Sequence, residues 1–218
     1  MAAVLNNLGS LAGRKHDYKH AEEYLTRAIA LWTAVFGPDH PDVAAASTNL
    51  ATVYMHKHQF AKSEALFHQA LATDKHLFGE NHEKVALDFN NLGVLYSTMK
   101  RYPEAEDNLE RSVAVYEHAF GPNSIPVAGA LLNLANQRVV AKRYTDALPP
   151  YKRAFDIYQD HPGDQSVTAA EAFDIYAKLL RSTADYAEAQ KAEAVAMRIR
   201  VKNTITRDRL QSSFASQN

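Results

Sequence analysis

Ten histidines stand among the 218 residues, and they are the first groups whose chemistry asks for a reading. His16 and His20 lie four apart, and His56 and His58 bracket a polar turn, spacings that suggest metal ligation. A metal site needs three or four convergent ligands with partners that orient them. No HExxH run and no cysteine completes such a set, so these histidines read as solvated turn residues, with no metal and no cofactor expected. No glycine-rich phosphate loop follows a strand, and no nucleophile elbow is present. Scattered Ser, Asp and His do not make a triad without geometry, so no catalytic residue is assigned and an enzyme is not expected. The carboxamides are more regular. Asn7, Asn49, Asn91 and Asn133 recur every 42 residues. An amide offers a donor and an acceptor together, so it can pair with a peptide backbone whatever side chains the peptide carries. Asn is a poor helix-interior residue without some such reason to be there. The competing reading is that each amide bonds a neighbouring helix and holds a stack together.

What positions these amides is a repeat. Gly37, Gly79, Gly121 and Gly163 are spaced by 42 residues. So are Leu8, Leu50, Leu92 and Leu134, each followed by Gly or Ala, and the aromatics Tyr18, Phe60, Tyr102, Tyr144 and Tyr186. Small residues keep step at Ala21, Ser63, Ala105, Ala147 and Ala189. A period shared by five registers without an insertion defines a five-unit array.

Each unit predicts two helices. Apolar and small residues at three- and four-residue steps, as in Val43, Ala46, Ser47, Leu50, Ala51 and Tyr54, mark the first. The second runs from the aromatic ladder to the glycine ladder. Gly fits a left-handed residue just past a helix end, and His40, His82, Ser124 and Ser166 are placed to cap the next helix. The helices are expected at 2–14, 18–35, 41–57, 60–77, 83–99, 102–119, 125–141, 144–160, 167–182 and 186–203. Pro149-Pro150 predicts a late or kinked start for the eighth, because proline lacks the N–H that the second turn needs.

The pattern of Leu-Gly/Ala, Tyr, Ala, Leu/Phe and Ala resembles the tetratricopeptide repeat. The longer unit, with NNLG at Asn6 to Gly9 and FGPDHPDVA at Phe36 to Ala44, is similar to the variant of kinesin light chains and many bacterial proteins. The resemblance covers essentially residues 2 to 203. It implies an all-α fold: a right-handed superhelical solenoid of five helix-turn-helix repeats, with the first helices lining a concave groove. It also implies that the ladder Asn contacts bound peptide. The expected peptide-binding groove comprises Asn7, Asn49, Thr52, His56, Asn90, Asn91, Asn133, Asn136 and Lys178. The Lys and Arg arrangement with which chaperone-binding members clamp a C-terminal carboxylate is missing. Arg14, His56, Arg138, Lys178 and Arg181 would tilt the groove toward acidic peptides, unless they are ordinary solvated charges.

The expected units are 1–40, 41–82, 83–124, 125–166 and 167–203, with a frayed or disordered tail at 204–218. The fifth reads as a degenerate cap, since the ladder Leu25, Phe67, Leu109, Tyr151 ends in Glu193. A net charge of −1 removes the simplest electrostatic case for nucleic acid or acidic membranes as partners. Val4, Leu5 and Leu8 form a first helix with no polar cap before it, which suggests either a chain excised from a longer protein or an edge that meets a partner, as in end-to-end self-association. The expected function is a non-catalytic scaffold holding a peptide in the Asn-lined groove, in the cytoplasm. The alternative is a structural or sensor array within a larger protein, using its ends rather than its groove.

Overall fold

The structure is a computed structural model that describes residues 1–161 and 167–215, with side chains described to Thr204 except at 162–167. Among the described residues there are ten helices and no strand. They are α1 (Ala2–Arg14), α2 (Tyr18–Phe36), α3 (Pro41–His56), α4 (Phe60–Phe78), α5 (Glu83–Thr98), α6 (Tyr102–Phe120), α7 (Ile125–Val140), α8 (Tyr144–Asp160), α9 (Val167–Ser182) and α10 (Tyr186–Ala215). The first nine match expectation to within a residue at each end. The tenth continues past 203 to Ala215, because TITRDRLQSSFA holds neither Gly nor Pro to stop it.

The chain is an all-α helical-repeat solenoid that divides into two compact units, Met1–Ala119 and Phe120–Asn218. In the first unit, α1 packs on α2, α2 on α3, α3 on α4, and α4 on α5. One apolar cluster joins Leu25, Leu50 and Val53 across the first two repeats. Another joins Phe67 and Leu71 to Val85, Phe89, Leu92 and Leu95 across the second and third. A polar tie accompanies each. The Glu22 carboxylate accepts from the Tyr54 hydroxyl at 3.1 Å and from the Lys57 ammonium, which lowers its pKa. Glu64 accepts from the Tyr96 hydroxyl at 2.8 Å and from Arg101 Nη1 at 3.1 Å. Burial, then the Glu64 carboxylate, pushes the Tyr96 phenol up to about 12.

Between repeats, the chain turns in the same way twice. Phe36 stacks on His40 with ring centroids 4.3 Å apart, and Phe78 on His82 at 4.6 Å. Each imidazole Nδ1 accepts from a backbone amide of the new helix, Asp42 at 3.2 Å and Lys84 at 3.3 Å. Ser124 departs from this: its hydroxyl donates to the Gly121 carbonyl at 3.0 Å and caps nothing. Ser166 lies outside the described residues. Gly37 and Gly79 have φ of 85° and 84° with ψ of 171° and 166°, a fully extended mirror conformation rather than the left-handed helical one expected. The left-handed residues fall instead in the turns within each repeat, at His16, His58, Lys100, Lys142 and Ala184, with φ between 56° and 63°.

In the second unit, α7 packs on α8 and α8 on α9, around an aromatic core. Tyr151 stacks on Tyr176 with centroids 5.4 Å apart, and Phe155 meets Phe173 edge-on at 5.6 Å. The expected late start of α8 is corrected. The helix begins at Tyr144, in step with its siblings, with Pro149 and Pro150 inside it. The carbonyl that Pro150 cannot serve belongs to Asp146, and Arg138 Nη1 donates to it at 3.1 Å.

Candidate functional site

Stacked helical pairs leave a space wherever a small residue stands in a register that its siblings fill. Position 13 is glycine in the first repeat, while the same register holds Met55, Ser97 and Val139. Met55 packs into the apolar cluster of its own repeat. At Gly13 the nearest atoms that an added Cβ would meet are Val53 Cγ2 at 3.7 Å and Ala21 Cβ at 3.9 Å. A cavity of about 220 Å³ opens there, bounded by α1, α2 and α3.

Its floor is apolar: Gly9, Gly13, Leu25 and Val53. Gly9 is required for another reason, since a Cβ there would lie 2.6 Å from Leu25 Cγ. The walls are polar, and they gather Asn49, Thr52 and His56 with Ser10, Arg14, His16 and Tyr18. Two residues settle the aromatic side. Tyr18 stacks on His56 at 5.4 Å and 12°, and its hydroxyl hydrogen-bonds His16 Nδ1 at 2.8 Å. His16 reaches this place because the turn holds it at φ 61°. Arg14 is exposed at the rim and makes no ion pair among the described residues.

The ladder amides differ in their surroundings. Asn49 Nδ2 donates to Asn6 Oδ1 at 3.0 Å, so this amide ties the first helices of two repeats together. Asn90 and Asn133 also have partners. Asn136 accepts from the buried Tyr151 hydroxyl. Asn49 thus stands in the arrangement of the competing reading, bonded to a neighbouring helix, and Asn133 is not free either. Burying a helix-interior amide is favourable when another polar group satisfies it. Asn91 is half-buried, and its side chain makes no hydrogen bond among the described residues. Asn7 is exposed. Thr52 Oγ1 donates back to the Thr48 carbonyl at 3.0 Å. Asn133, Asn136 and Lys178 belong to the second unit and line no part of this cavity.

The histidines do not converge. His20 Nδ1 lies 2.7 Å from Asp17 Oδ2, which lowers the Asp17 pKa, and His58 meets Phe60 edge-on. Among the described residues no three His, Cys, Asp or Glu could hold a metal ion together. Gly13, Tyr18, Leu25 and Val53 were not assigned to a site from the sequence. The one signal for them was the small residue at position 13 of a ladder otherwise held by larger side chains.

Comparison with known proteins places this geometry. Residues 1–54 and 42–118 match the family model of the tetratricopeptide repeat. No curated protein matches the chain. Among solved structures, the fold is similar to BtubC (BKLC) from P. vanneervenii, with a TM-score of 0.75 at 21% identity over 92% of this chain and 80% of that one. A Podosopora anserina protein described as a kinesin light chain with nearly identical TPR-like repeats gives 0.70 at 17% identity, over 92% and 95%. Aspartyl phosphate phosphatase F from Bacillus subtilis gives 0.75 at 17% identity, over 90% of this chain and 49% of its own.

Proposed function

Because the chain belongs to the tetratricopeptide repeat family, whose members serve as protein-interaction scaffolds, we propose that it is a non-catalytic scaffold that binds a peptide segment. The first unit holds the seat. A side chain of the peptide enters the cavity at Gly13, while Thr52, His56 and Arg14 face its backbone and its neighbours. Asn91, one repeat further along the same register, supplies the amide for the peptide backbone. The observation that carries this reading is an unfilled cavity whose rim bears a guanidinium without an ion pair among the described residues. That charge favours an acidic residue in the peptide beside the inserted side chain. A cytoplasmic location belongs to the same proposal; among the described residues no helix is long and apolar enough to cross a membrane. The likeness to a phosphatase-named structure rests on 17% identity and supports the fold alone.

Screening a random peptide library against the chain, then titrating the selected peptides against Gly13→Met, tests the seat. This substitution copies Met55 of the second repeat and replaces a poor helix former by a good one. Folding should be preserved or strengthened while peptide affinity falls at least tenfold. Equal binding by Gly13→Met would place the peptide elsewhere. A structural or sensor array that works through its ends is the second reading, and the exposed apolar edge of the first repeat favours it.

A further inference from the structure

The charged and titratable groups that line the cavity at Gly13 are all basic or neutral. Among the described residues the lining holds Arg14 and two imidazoles, His16 and His56, and no carboxylate. The acids nearest in the chain are already engaged. Asp17 meets His20 at 2.7 Å, and Glu22 accepts from Tyr54 and Lys57. The repeat explains why Arg14 and His56 share this cavity. They hold the same register in the first helices of successive repeats, so both reach the space between α1 and α3. The next residues of that register are Thr98 and Val140, so its basic run ends after two repeats.

His56 is held differently from His16. The His16 Nδ1 is tied to the Tyr18 hydroxyl at 2.8 Å, whereas His56 makes no hydrogen bond and no ion pair among the described residues. Its ring lies over the face of Tyr18, with centroids 5.4 Å apart and planes within 12° of parallel. A ring face attracts a positive charge above it, so the stack accommodates an imidazolium. Arg14 opposes that charge, because a like charge on the same rim disfavours it. A carboxylate brought into the cavity removes this opposition and can pair with both cations. Arginine keeps its charge throughout, and imidazole is the side chain whose charge ordinarily changes between about pH 5 and 8. Binding of an acidic side chain and protonation of His56 are therefore linked, each favouring the other.

On the reading that the Gly13 cavity seats a peptide, we propose that His56 makes the seat pH-responsive: protonated, it joins Arg14 in holding an acidic side chain of the peptide, and the grip tightens as pH falls. Among the described residues the groups that face His56 in the cavity are Arg14 from α1, His16 from the turn and Tyr18 from α2. Its neighbours in the chain turn elsewhere, Lys57 to Glu22 and His58 to the edge of Phe60.

The probe is the tightest peptide from the random library that loses affinity with Gly13→Met, and it should carry Asp or Glu. Its affinity for the whole chain should rise about threefold to fivefold between about pH 7.5 and about pH 5.5, the scale of one exposed ion pair. His56→Gln keeps a planar group that takes no proton, and should abolish the rise. His56→Arg copies Arg14 with a permanent charge, and should bind at the higher pH as tightly as the native chain does at the lower. His76→Gln, exposed on α4 and outside the cavity, should leave the rise intact. Replacing the acidic residue of the peptide by its amide should remove the rise as well. Circular dichroism at both pH values confirms that each variant keeps its helices. A peptide sensitive to Gly13→Met that binds equally at both pH values overturns the regulation and leaves the seat standing. So does a rise that survives His56→Gln, or a selected peptide without an acidic residue. A library that yields no peptide sensitive to Gly13→Met overturns the seat and the role of His56 together.

Discussion

Arg138 Nη1 donates to the carbonyl oxygen of Asp146 at 3.1 Å, and that carbonyl is the one left without a helical partner by Pro150. The guanidinium of one helix thus repairs the backbone of the next. It explains how α8 keeps its start at Tyr144 with two prolines inside.

The repair predicts a coupling. Arg138→Ala should destabilise the second unit by about 1 kcal/mol, the usual net scale of a hydrogen bond, or somewhat more since the donor is charged. In a Pro150→Ala background, an amide at 150 serves Asp146, and the same substitution should cost markedly less. Thermal melts of the four proteins give the coupling energy. Additive effects would mean that the Arg138 contact is incidental.

The proline case also shows where sequence reading stops. The ladder of Leu, Gly/Ala and aromatics made the fold and nearly every helix boundary legible, because a period repeated five times overrides local ambiguity. Pro149-Pro150 misled as to where the helix starts because the compensating donor, Arg138, comes from another helix and leaves no local mark. The amide ladder was legible as a ladder and not as a function. Whether Asn49 faces a peptide or Asn6 is decided by side-chain direction between repeats, which periodicity does not encode. The cavity was readable in principle, from the missing side chain at Gly13.

A second prediction concerns pH. Asp74 and Asp88 are both buried, with Asp88 in the register of Ala46 and Asp74 in that of Trp32. Burial, then the Asp74 charge, pushes the Asp88 carboxyl up to about 8, against an opposing pull from Lys84. Asp74 is raised too, first by burial, while Lys84, its bond to Asp88 and His82 pull it down. The folded state therefore binds protons more tightly than the unfolded one. Stability is fully present below the ordinary carboxyl value of 3.8 and is lost as pH rises through about 8. The slope is at most about 1.4 kcal/mol per pH unit for one proton. Urea titrations of the first unit, followed by its single Trp32, should show this decline. Asp88→Asn keeps a donor toward Asp74 and should flatten it. A decline unchanged by Asp88→Asn would assign it to other groups.

A third concerns a pairing between two ladders. Gly9 faces Leu25 and Gly93 faces Leu109, where an added Cβ would lie 2.6 Å and 2.5 Å from the Leu Cγ. In the same registers, Ala51 goes with Phe67 and Ala135 with Tyr151. A planar aromatic Cγ admits the methyl that a branched Leu Cγ excludes. Gly93→Ala should thus destabilise by about 1–3 kcal/mol through overpacking. Gly93→Ala combined with Leu109→Phe should recover most of the loss. Failure of the pair to do better than the single change would break the correlation.

A fourth concerns Lys100, held at φ 62° in the turn between α5 and α6. A left-handed conformation costs a side-chain-bearing residue about 1–2 kcal/mol, and glycine's extra unfolded freedom costs about 0.5–1 kcal/mol. Lys100→Gly should therefore stabilise by about 0.5 kcal/mol. A lower melting temperature would show that the turn carries no such strain.

The two identical connections, Phe36-Gly37 to His40 and Phe78-Gly79 to His82, make the second repeat an excisable cassette. Removing residues 38–79 joins Gly37 directly to Glu80 and restores the same glycine geometry and the same ring-on-ring cap. Glu22 would then stand where Glu64 stood, within reach of Tyr96 and Arg101. The seam would change where Asp88 meets Trp32 in place of Asp74, and where Thr26 and Thr33 replace His68 and Lys75, which now contact Tyr96, Phe89 and Glu80. Recombination between these loops can thus shorten or lengthen the array in whole 42-residue steps, and its toll falls on side-chain contacts across the seam rather than on the backbone.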